Sequence, residues 1–313
     1  MSELVLAAAV ARRYFLDDQT KVQIASAMQL SRFKVARLID LARSSGIVRI
    51  SVGSPGAVDA ELSDRLRGHL GLRRAIVINT VDADDAATRH QLAELTAVLL
   101  HDVLTADDVL GLGWSRAVLD TAARLTSPAA CDVVQLSGVL SHPEVTVNLV
   151  DAVDRLARAG GGHAYSFYAP LFVADPASVD VIRRQPDAAA ATAQFSRVTT
   201  ALVGVGCWRP PASNLRDELT AAERAALERD GVLADVAGIL LDRAGEPLSM
   251  PLSRQMIGIS ADQLRSVPEV VALAYGRQKA PAVHIAVRAG YVSTLVTTAA
   301  FALALLDLRR PDL

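Results

Sequence analysis

Three short segments carry the glycines and polar residues best suited to binding a small anion or a sugar. They span residues 111–116, 135–138 and 204–208, and each comes at the end of an apolar run. Glycine permits tight turns, and the first N–H groups of a following helix bind anions. In the first segment, Ser115 and Arg116 would add a hydroxyl and a cation. A plain turn explains any single segment better, but three such segments in one domain favour a ligand-binding edge.

Two charged residues extend this predicted site. Lys279 is the only lysine after Lys34, and it opens a predicted helix, where a cation opposes the helix dipole and favours an anionic partner. Glu246 lies in a predicted loop and could accept hydrogen bonds from sugar hydroxyls. The ordinary alternatives are a solvated lysine and a surface turn. The predicted ligand-binding residues are Gly113, Trp114, Ser115, Arg116, Gln135, Ser137, Gly138, Gly206, Glu246 and Lys279.

Residues that could support catalysis or bind metals form no pattern. The six histidines lack the spacing of metal ligands. Cys131 and Cys207 are too few for a disulfide framework, and both lie beside apolar runs, so we expect buried free thiols in a reducing compartment. We therefore assign no catalytic residue, no metal and no cofactor.

Short apolar strands and amphipathic helices alternate after residue 60, and this alternation positions the three segments. Strands are predicted at 75–79, 108–113, 132–136, 200–205, 236–241, 270–274 and 292–297, with helices at 88–101, 116–125, 146–159, 221–229 and 277–289. The pattern predicts an α/β domain whose parallel sheet is covered on both faces. Ligands bind such sheets at the carboxyl ends of the strands, which is where the segments lie.

The first 50 residues follow a different pattern, with three predicted helices. The first spans 3–17 and the second spans 21–28. After a two-residue turn, Ser31 is a good N-cap for a third helix over 32–44. Two short helices joined by so tight a turn are typical of a helix-turn-helix unit.

The third helix presents an aromatic residue and several cations from its first two turns. At about 100° per residue, the face opposite the apolar one carries Phe33, Arg37 and Asp40, with Arg32 and Lys34 at its flanks. Such a helix suits the major groove of DNA, although a solvated helical hairpin explains the spacing equally well. The predicted DNA-binding residues are Thr20, Lys21, Ser31, Arg32, Phe33, Lys34 and Arg37.

Composition and charge support a two-domain globular protein. Of the 313 residues, 51% are apolar and 21% are charged, which argues against extensive disorder. Residues 1–50 hold eight Lys+Arg and four Asp+Glu, whereas the remainder holds 24 and 30. A basic segment on an acidic body is typical of a DNA reader joined to a second domain. We predict a DNA-binding domain over 1–52, a Gly/Pro-containing linker over 53–60 and a ligand-binding domain over 61–313.

Localisation follows from two features of the chain. No apolar run approaches the ~20 residues of a membrane span. The first residues also lack the basic start of a signal peptide. We expect a cytoplasmic protein with no membrane partner.

Sequence runs in both predicted domains resemble the SorC/DeoR-type sugar-responsive transcriptional regulators. The runs are 13–15, 24–25, 30–32, 35–38 and 42–48 in the first domain, and 113–114, 134–138, 168–171, 202–206, 245–248, 274–280 and 295–297 in the second. The resemblance implies a three-helix helix-turn-helix domain followed by a Rossmann-like α/β effector domain. That effector domain is similar to the fold of glucosamine-6-phosphate deaminase, ribose-5-phosphate isomerase and CoA-transferases. It also implies sugar or sugar-phosphate binding in place of catalysis, by dimers or tetramers on DNA.

The chain departs from this family at three places. Ser115 begins a run, 115–117, where the family often has Gly-x-Thr, and Val139 stands where a second glycine is usual. Some relatives place a lysine beside Gly138 that bonds covalently to an aldehyde sugar, and Ser137 here argues against that chemistry. Near the end, 297–299 replaces the acidic Thr-Asp-Glu of the family. These departures weaken the case for a phosphorylated ligand.

Three functions are compatible with these patterns. The leading hypothesis is a DNA-binding regulator controlled by a small sugar, polyol or sugar phosphate. The rival is a sugar-phosphate isomerase or deaminase with an accessory helical N-terminus, for which Glu246 and Lys279 are the visible acid–base candidates. The third is a basic helical interaction module on a structural α/β domain, which would not retain DNA.

Overall fold

A computed structural model describes residues 3–48, 58–80, 84–140, 147–173, 175–249 and 252–308 of the chain. The chain divides into two compact units, Met1–Pro55 and Gly56–Leu313.

The first unit is a bundle of three helices, α1 (Glu3–Phe15), α2 (Lys21–Ala27) and α3 (Arg32–Ser44). Polar caps set the starts of the last two helices. The Thr20 and Gln23 side chains form a reciprocal capping box on α2, and the Ser31 hydroxyl accepts a hydrogen bond from the first turn of α3. The buried core consists of Ala7, Val10, Ala11, Ile24, Val35, Leu38, Ile39 and Ala42.

The described part of the first unit ends at Val48. The sequence over 47–52 alternates as a short strand would, and Val48, near the start of this predicted strand, donates its N–H to Ala42 O at 2.9 Å. Residues 49–57, which include most of the predicted strand and the Gly-Ser-Pro-Gly linker, lie outside the described residues. The last linker positions are structured, because Val58 bridges to Ile78 and Asp59 caps the following helix. Val58 and Asp59 therefore make their contacts within the second unit.

The second unit is built on a parallel sheet of seven strands. In order across the sheet these are β1-β9-β8-β5-β2-β3-β4, and a β6–β7 hairpin pairs with the end of β5. The strands are β1 (Arg74–Ile78), β2 (Val109–Leu112), β3 (Asp132–Gln135), β4 (Ala164–Tyr165), β5 (Thr200–Cys207), β6 (Ala234–Val236), β7 (Ile239–Leu241), β8 (Glu269–Leu273) and β9 (Thr294–Thr298).

Helices cover both faces of this sheet. They are α4 (Ala60–Leu70), α5 (Asp85–Val103), α6 (Arg116–Arg124), α7 (Leu149–Gly160), α8 (Pro176–Arg183), α9 (Pro186–Ala193), α10 (Asn214–Glu218), α11 (Ala221–Arg229), α12 (Ala261–Ser266), α13 (Ala280–Arg288) and α14 (Ala299–Leu306). Successive residues of a strand point to opposite faces, so Val270 and Ala272 join one core while Val271 and Leu273 join the other. The near-continuous apolar strands are explained by this burial on two sides.

Two predicted elements are wrong in detail. The strand predicted over 236–241 is a tight hairpin, because Ala237 and Gly238 adopt positive φ angles of 50° and 91° and reverse the chain between β6 and β7. The helix predicted to begin at Arg277 starts as a 3₁₀ turn, Arg277–Lys279, ahead of α13. The two-residue strand β4 and the helices α4, α8, α9, α10, α12 and α14 were not predicted.

The strand order creates a crevice in the second unit. From β2 the chain moves to β3 and β4 on one side, and then returns to β5 on the other side of β2 before continuing to β8 and β9. The connections that leave β2 and β5 therefore run in opposite directions along the sheet. This is the switch point at which open parallel sheets bind ligands.

Candidate functional site

A cleft opens at the carboxyl ends of β2, β3, β5 and β8. Six of the predicted ligand-binding residues line it, namely Trp114, Ser115, Arg116, Ser137, Gly206 and Lys279. The cleft also contains four polar residues that the sequence did not single out, Ser213, Asn214, Asp235 and Tyr275.

The end of β2 contributes one wall of the cleft. Ser115 is the N-cap of α6, and its Oγ accepts the Val118 N–H at 3.1 Å, so the hydroxyl stabilises the helix start. Arg116 is the first residue of that helix. The backbone N–H of Trp114 donates to Ser137 Oγ at 3.1 Å, which ties the ends of β2 and β3 together. The start of α6 therefore lines a partly polar space.

Asp235 is the buried acidic group of the cleft. It comes from β6, and its Oδ2 accepts hydrogen bonds from Ser213 Oγ at 2.6 Å and from Trp208 Nε1 at 3.1 Å. Gly206 is its partner across the β5–β6 ladder, and a Cβ there would overlap the carboxylate. Burial raises the pKa of Asp235, while the hydrogen bonds from Ser213 and Trp208 oppose that rise.

Lys279 is the basic counterpart of this carboxylate. It lies in the 3₁₀ turn before α13, half-buried, with Nζ 3.5 Å from Val205 O and 5.9 Å from the centre of the Tyr275 ring. Burial lowers the pKa of Lys279; the charge of Asp235 opposes this shift, and the nearby Arg116 adds to it. The cleft thus places a carboxylate and two cations around the same space.

Four predicted ligand-binding residues lie outside the cleft lining. Gln135 is buried, where Oε1 accepts the Phe167 N–H at 3.0 Å and Nε2 donates to Ser137 O at 2.9 Å, so its amide holds the loop after β3. Gly113 donates its N–H to Leu202 O.

Gly138 and Glu246 are the other two predicted residues that do not line the cleft. Gly138 packs so tightly that a Cβ would overlap Pro170 O, and it donates its N–H to Ile257 O at 2.8 Å. Glu246 is exposed in a turn, where its N–H donates to Asp242 Oδ1 at 2.9 Å. The structure does not bring Glu246 to Lys279 in the cleft, so the predicted acid–base pair is not formed.

Asp235 lines the cleft but is absent from the residues that the sequence predicts to bind ligand. A signal was present, since a single carboxylate interrupts the apolar run 232–241. The run was interpreted as a strand beginning at Val236, which left Asp235 in a loop. Only the hairpin that reverses at Ala237 turns the carboxylate back onto β5.

In the first unit, the predicted DNA-binding residues form an exposed surface around α3. Phe33 is 89% exposed, and the Arg37 side chain is 70% exposed. Lys34 and Arg37 both donate to the same oxygen, Glu3 Oε1, at 3.1 and 2.9 Å. Lys21 lies 5.7 Å from the centre of the Tyr14 ring. The surface is therefore basic and aromatic, but one carboxylate from α1 is bound within it.

The described residues also bear on metal binding and membrane insertion. Within them, no group of three or more His, Cys, Asp or Glu side chains is placed to hold a metal ion. In the same residues, no helix is both long and apolar enough to cross a bilayer.

Comparison with known proteins gives the family of the chain. The Sugar-bind family, a sugar-binding domain, matches residues 34–307. The transcriptional regulator LsrR of Klebsiella pneumoniae subsp. pneumoniae is 26% identical over 315 aligned positions, which cover 98% of this chain and 94% of that protein. The deoxyribonucleoside regulator of Bacillus subtilis is 26% identical over 290 positions, covering 91% and 92%.

A solved structure extends the likeness to the three-dimensional fold. The full-length sorbitol operon regulator SorC from Klebsiella pneumoniae superposes with a TM-score of 0.79 at 21% identity, covering 98% of this chain and 100% of that chain. This superposition confirms the predicted α/β fold class with its helical N-terminal unit. Together with the family match and the full-length relatives, it shows that the chain belongs to the sugar-binding-domain family and is a transcriptional regulator of the SorC/DeoR type.

Proposed function

We propose that this chain is a DNA-binding regulator of carbohydrate metabolism whose operator binding is controlled by a small sugar, polyol or sugar phosphate held in the cleft. The observation that carries the proposal is the buried Asp235 carboxylate, which faces the same space as Lys279 and Arg116. Carboxylates accept hydrogen bonds from vicinal hydroxyls, and the two cations suit an anionic substituent.

The ligand would be bound by polar groups on several strands. Asp235 and Asn214 are suited to hydroxyl groups, because one accepts hydrogen bonds and the other both donates and accepts them. At the opposite wall, the start of α6 and the Arg116 side chain are suited to a phosphate or carboxylate. Ser137, whose Oγ already accepts the Trp114 N–H, would contribute a donor hydroxyl.

The DNA-binding surface would be centred on α3. Phe33 is suited to a thymine methyl group and Arg37 to a base edge in the major groove. Arg32, Lys34 and Lys21 would bind phosphates, with Thr20 and Ser31 beside them at the helix starts. Because operators for such motifs consist of paired half-sites, the proposal includes a dimer or tetramer.

Control of DNA binding would follow from differential binding of the ligand. A ligand shifts an equilibrium only as far as it binds one arrangement more tightly than another. The proposed effector would therefore favour one orientation or assembly of the DNA-binding units, and the DNA would reciprocally change the affinity of the ligand.

We infer binding without turnover. The Asp235 carboxylate is fixed by two hydrogen bonds from Ser213 and Trp208, which suits recognition of hydroxyls in one geometry. The full-length relatives are named as regulators, which favours the same role here. The rival enzyme would convert common sugar phosphates, and measurable turnover by the full chain would contradict this inference.

A two-part experiment tests the proposal. Duplexes retained by the immobilised full chain from a random-sequence pool identify a preferred DNA sequence. A panel of sugars, polyols and their phosphates is then screened by thermal shift, since a specific ligand stabilises the folded state by mass action. The proposal requires a preferred DNA sequence and a stabilising carbohydrate; failure to retain any DNA would contradict it.

A further inference from the structure

Glu3 occupies a special position in the first unit. It lies in the first turn of α1, yet its Oε1 accepts hydrogen bonds from Lys34 Nζ at 3.1 Å and Arg37 Nη2 at 2.9 Å, both on α3. The carboxylate is half-exposed, with 51% of its side-chain surface accessible. One oxygen thus neutralises two cations of the proposed DNA-binding surface.

The contact does not serve the packing of the helices. The core between α1 and α3 is formed by apolar residues such as Ala7, Val10, Val35 and Leu38, which are fully buried. Exposed ion pairs of this kind contribute little to folding, because water screens them. Asp40, one turn after Arg37 on α3, forms no ion pair with that arginine within the described part of the chain. Glu3 is therefore the acidic group that pairs with Lys34 and Arg37 among the residues that the structure describes.

The charges of this pairing have a direct consequence for DNA binding. Affinity for any duplex comes largely from cations that replace counterions at phosphates. While Glu3 holds Lys34 and Arg37, those cations attract phosphates less strongly, and the free carboxylate repels phosphates once they are released. At a cognate site, Arg37 can donate several hydrogen bonds to one base edge, and these offset the loss of its ion pair with Glu3. A single contact to a phosphate on non-cognate DNA offsets less of that loss.

We propose that Glu3 is a specificity-determining residue, which competes with DNA phosphates for Lys34 and Arg37 and so weakens binding to non-cognate DNA. The proposal rests on the proposed DNA-binding function of α3. It concerns a residue of α1 that itself reads no base.

The test compares two charge-removing variants of the full chain. Glu3→Gln removes the competing carboxylate and keeps the side-chain length. The matched control is Asp17→Asn, which removes the same charge from the same unit at an exposed position after α1. Binding to a mixed-sequence duplex of about 40 base pairs is followed by fluorescence anisotropy between about 50 and 200 mM salt.

The expected result is tighter non-cognate binding by Glu3→Gln, by roughly threefold to thirtyfold, with Asp17→Asn close to wild type. The slope of log affinity against log salt should steepen by roughly 1 to 2, because up to two additional phosphates are neutralised. In a Lys34→Ala/Arg37→Ala background, Glu3→Gln should give no gain. The ratio of selected-sequence to mixed-sequence affinity should fall.

Other outcomes separate this proposal from the function on which it rests. Equal gains for Glu3→Gln and Asp17→Asn would overturn the proposal, because only net charge would then matter. Weaker binding by Glu3→Gln would also overturn it, since Glu3 would instead orient Arg37 for DNA. If neither wild type nor Glu3→Gln binds duplex DNA at the lowest salt, the proposed function itself fails.

Discussion

Replacing Asp235 separates its structural role from its proposed role in ligand binding. Its Oδ2 accepts hydrogen bonds from Ser213 and Trp208 at 2.6 and 3.1 Å in a buried environment. Asp235→Ala leaves two buried donors without an acceptor, at about 1–3 kcal/mol each, so we expect a loss of roughly 2–6 kcal/mol in unfolding free energy. At about 2–4 °C per kcal/mol for a unit of this size, the melting temperature should fall by roughly 4–24 °C.

Asp235→Asn keeps an acceptor oxygen at the same place but removes the charge. We expect its unfolding free energy to stay within about 1 kcal/mol of wild type, because both donors remain paired. A carbohydrate present at about 100 times its Kd stabilises wild type by about 2.7 kcal/mol. Losing a charged hydrogen bond of about 1.5–3 kcal/mol would weaken binding roughly 10- to 150-fold and leave about 0.3–1.4 kcal/mol of that stabilisation.

The assay is a thermal melt of wild type and both Asp235 variants, with and without a stabilising carbohydrate from the panel. Glu246→Gln is the matched control, because this exposed residue lies in a turn outside the cleft lining. An Asp235→Asn variant that keeps the full ligand-induced shift would refute the proposed contact. An Asp235→Ala variant as stable as wild type would refute the hydrogen-bond reasoning.

Three further predictions concern other parts of the chain. Gly206→Ala should lower both stability and ligand affinity, measured by the same melts, because the new Cβ overlaps the Asp235 carboxylate. At Asp108, burial raises the pKa, but hydrogen bonds from threonines outweigh it and hold the pKa below its ordinary value. The stabilisation that results is fully present when the pH is above the pKa of Asp108 in the unfolded chain. It is lost as the pH falls through the lower pKa of Asp108 in the folded chain. Asp108→Asn should therefore melt earlier than wild type at pH about 7, and the difference should close toward pH about 3; a constant difference would contradict this. Arg37→Ala should lose about 1–3 kcal/mol of sequence discrimination in anisotropy titrations, whereas Lys34→Ala should weaken binding to all duplexes and reduce the salt slope by about 1.

Local patterns in the sequence were sufficient to predict much of the fold. The Ser31 cap and the buried stripe of Val35, Leu38 and Ile39 depend on spacing within one helix, and they appear in α3 as expected. The apolar strands β1, β2, β3, β5, β8 and β9 were recognisable because burial on both faces requires continuous apolar runs. The carboxyl-end site followed from the same alternation.

Contacts between distant positions could not be predicted in this way. Asp235 reaches the cleft only because the chain reverses at Ala237 and Gly238, both of which have positive φ angles. Alanine rarely adopts a positive φ angle, so Ala237 gave no indication of this turn. Glu3 meets α3 across 31 and 34 residues of sequence, so the spacing of cations on α3 gave no indication of it. Gln135 was predicted to bind ligand from its place after a strand, but its amide is bonded to Phe167 and Ser137.

The linkage between the cleft and DNA is tested most directly by one titration. The full chain is titrated into a fluorescent duplex carrying its selected sequence, with and without a saturating stabilising carbohydrate, for wild type and Asp235→Asn. We predict that the carbohydrate changes the apparent Kd for DNA of wild type, by roughly 5- to 150-fold as in typical allosteric coupling, and leaves that of Asp235→Asn nearly unchanged. An unchanged wild-type Kd, or an equal change in both proteins, would contradict control of DNA binding through this cleft.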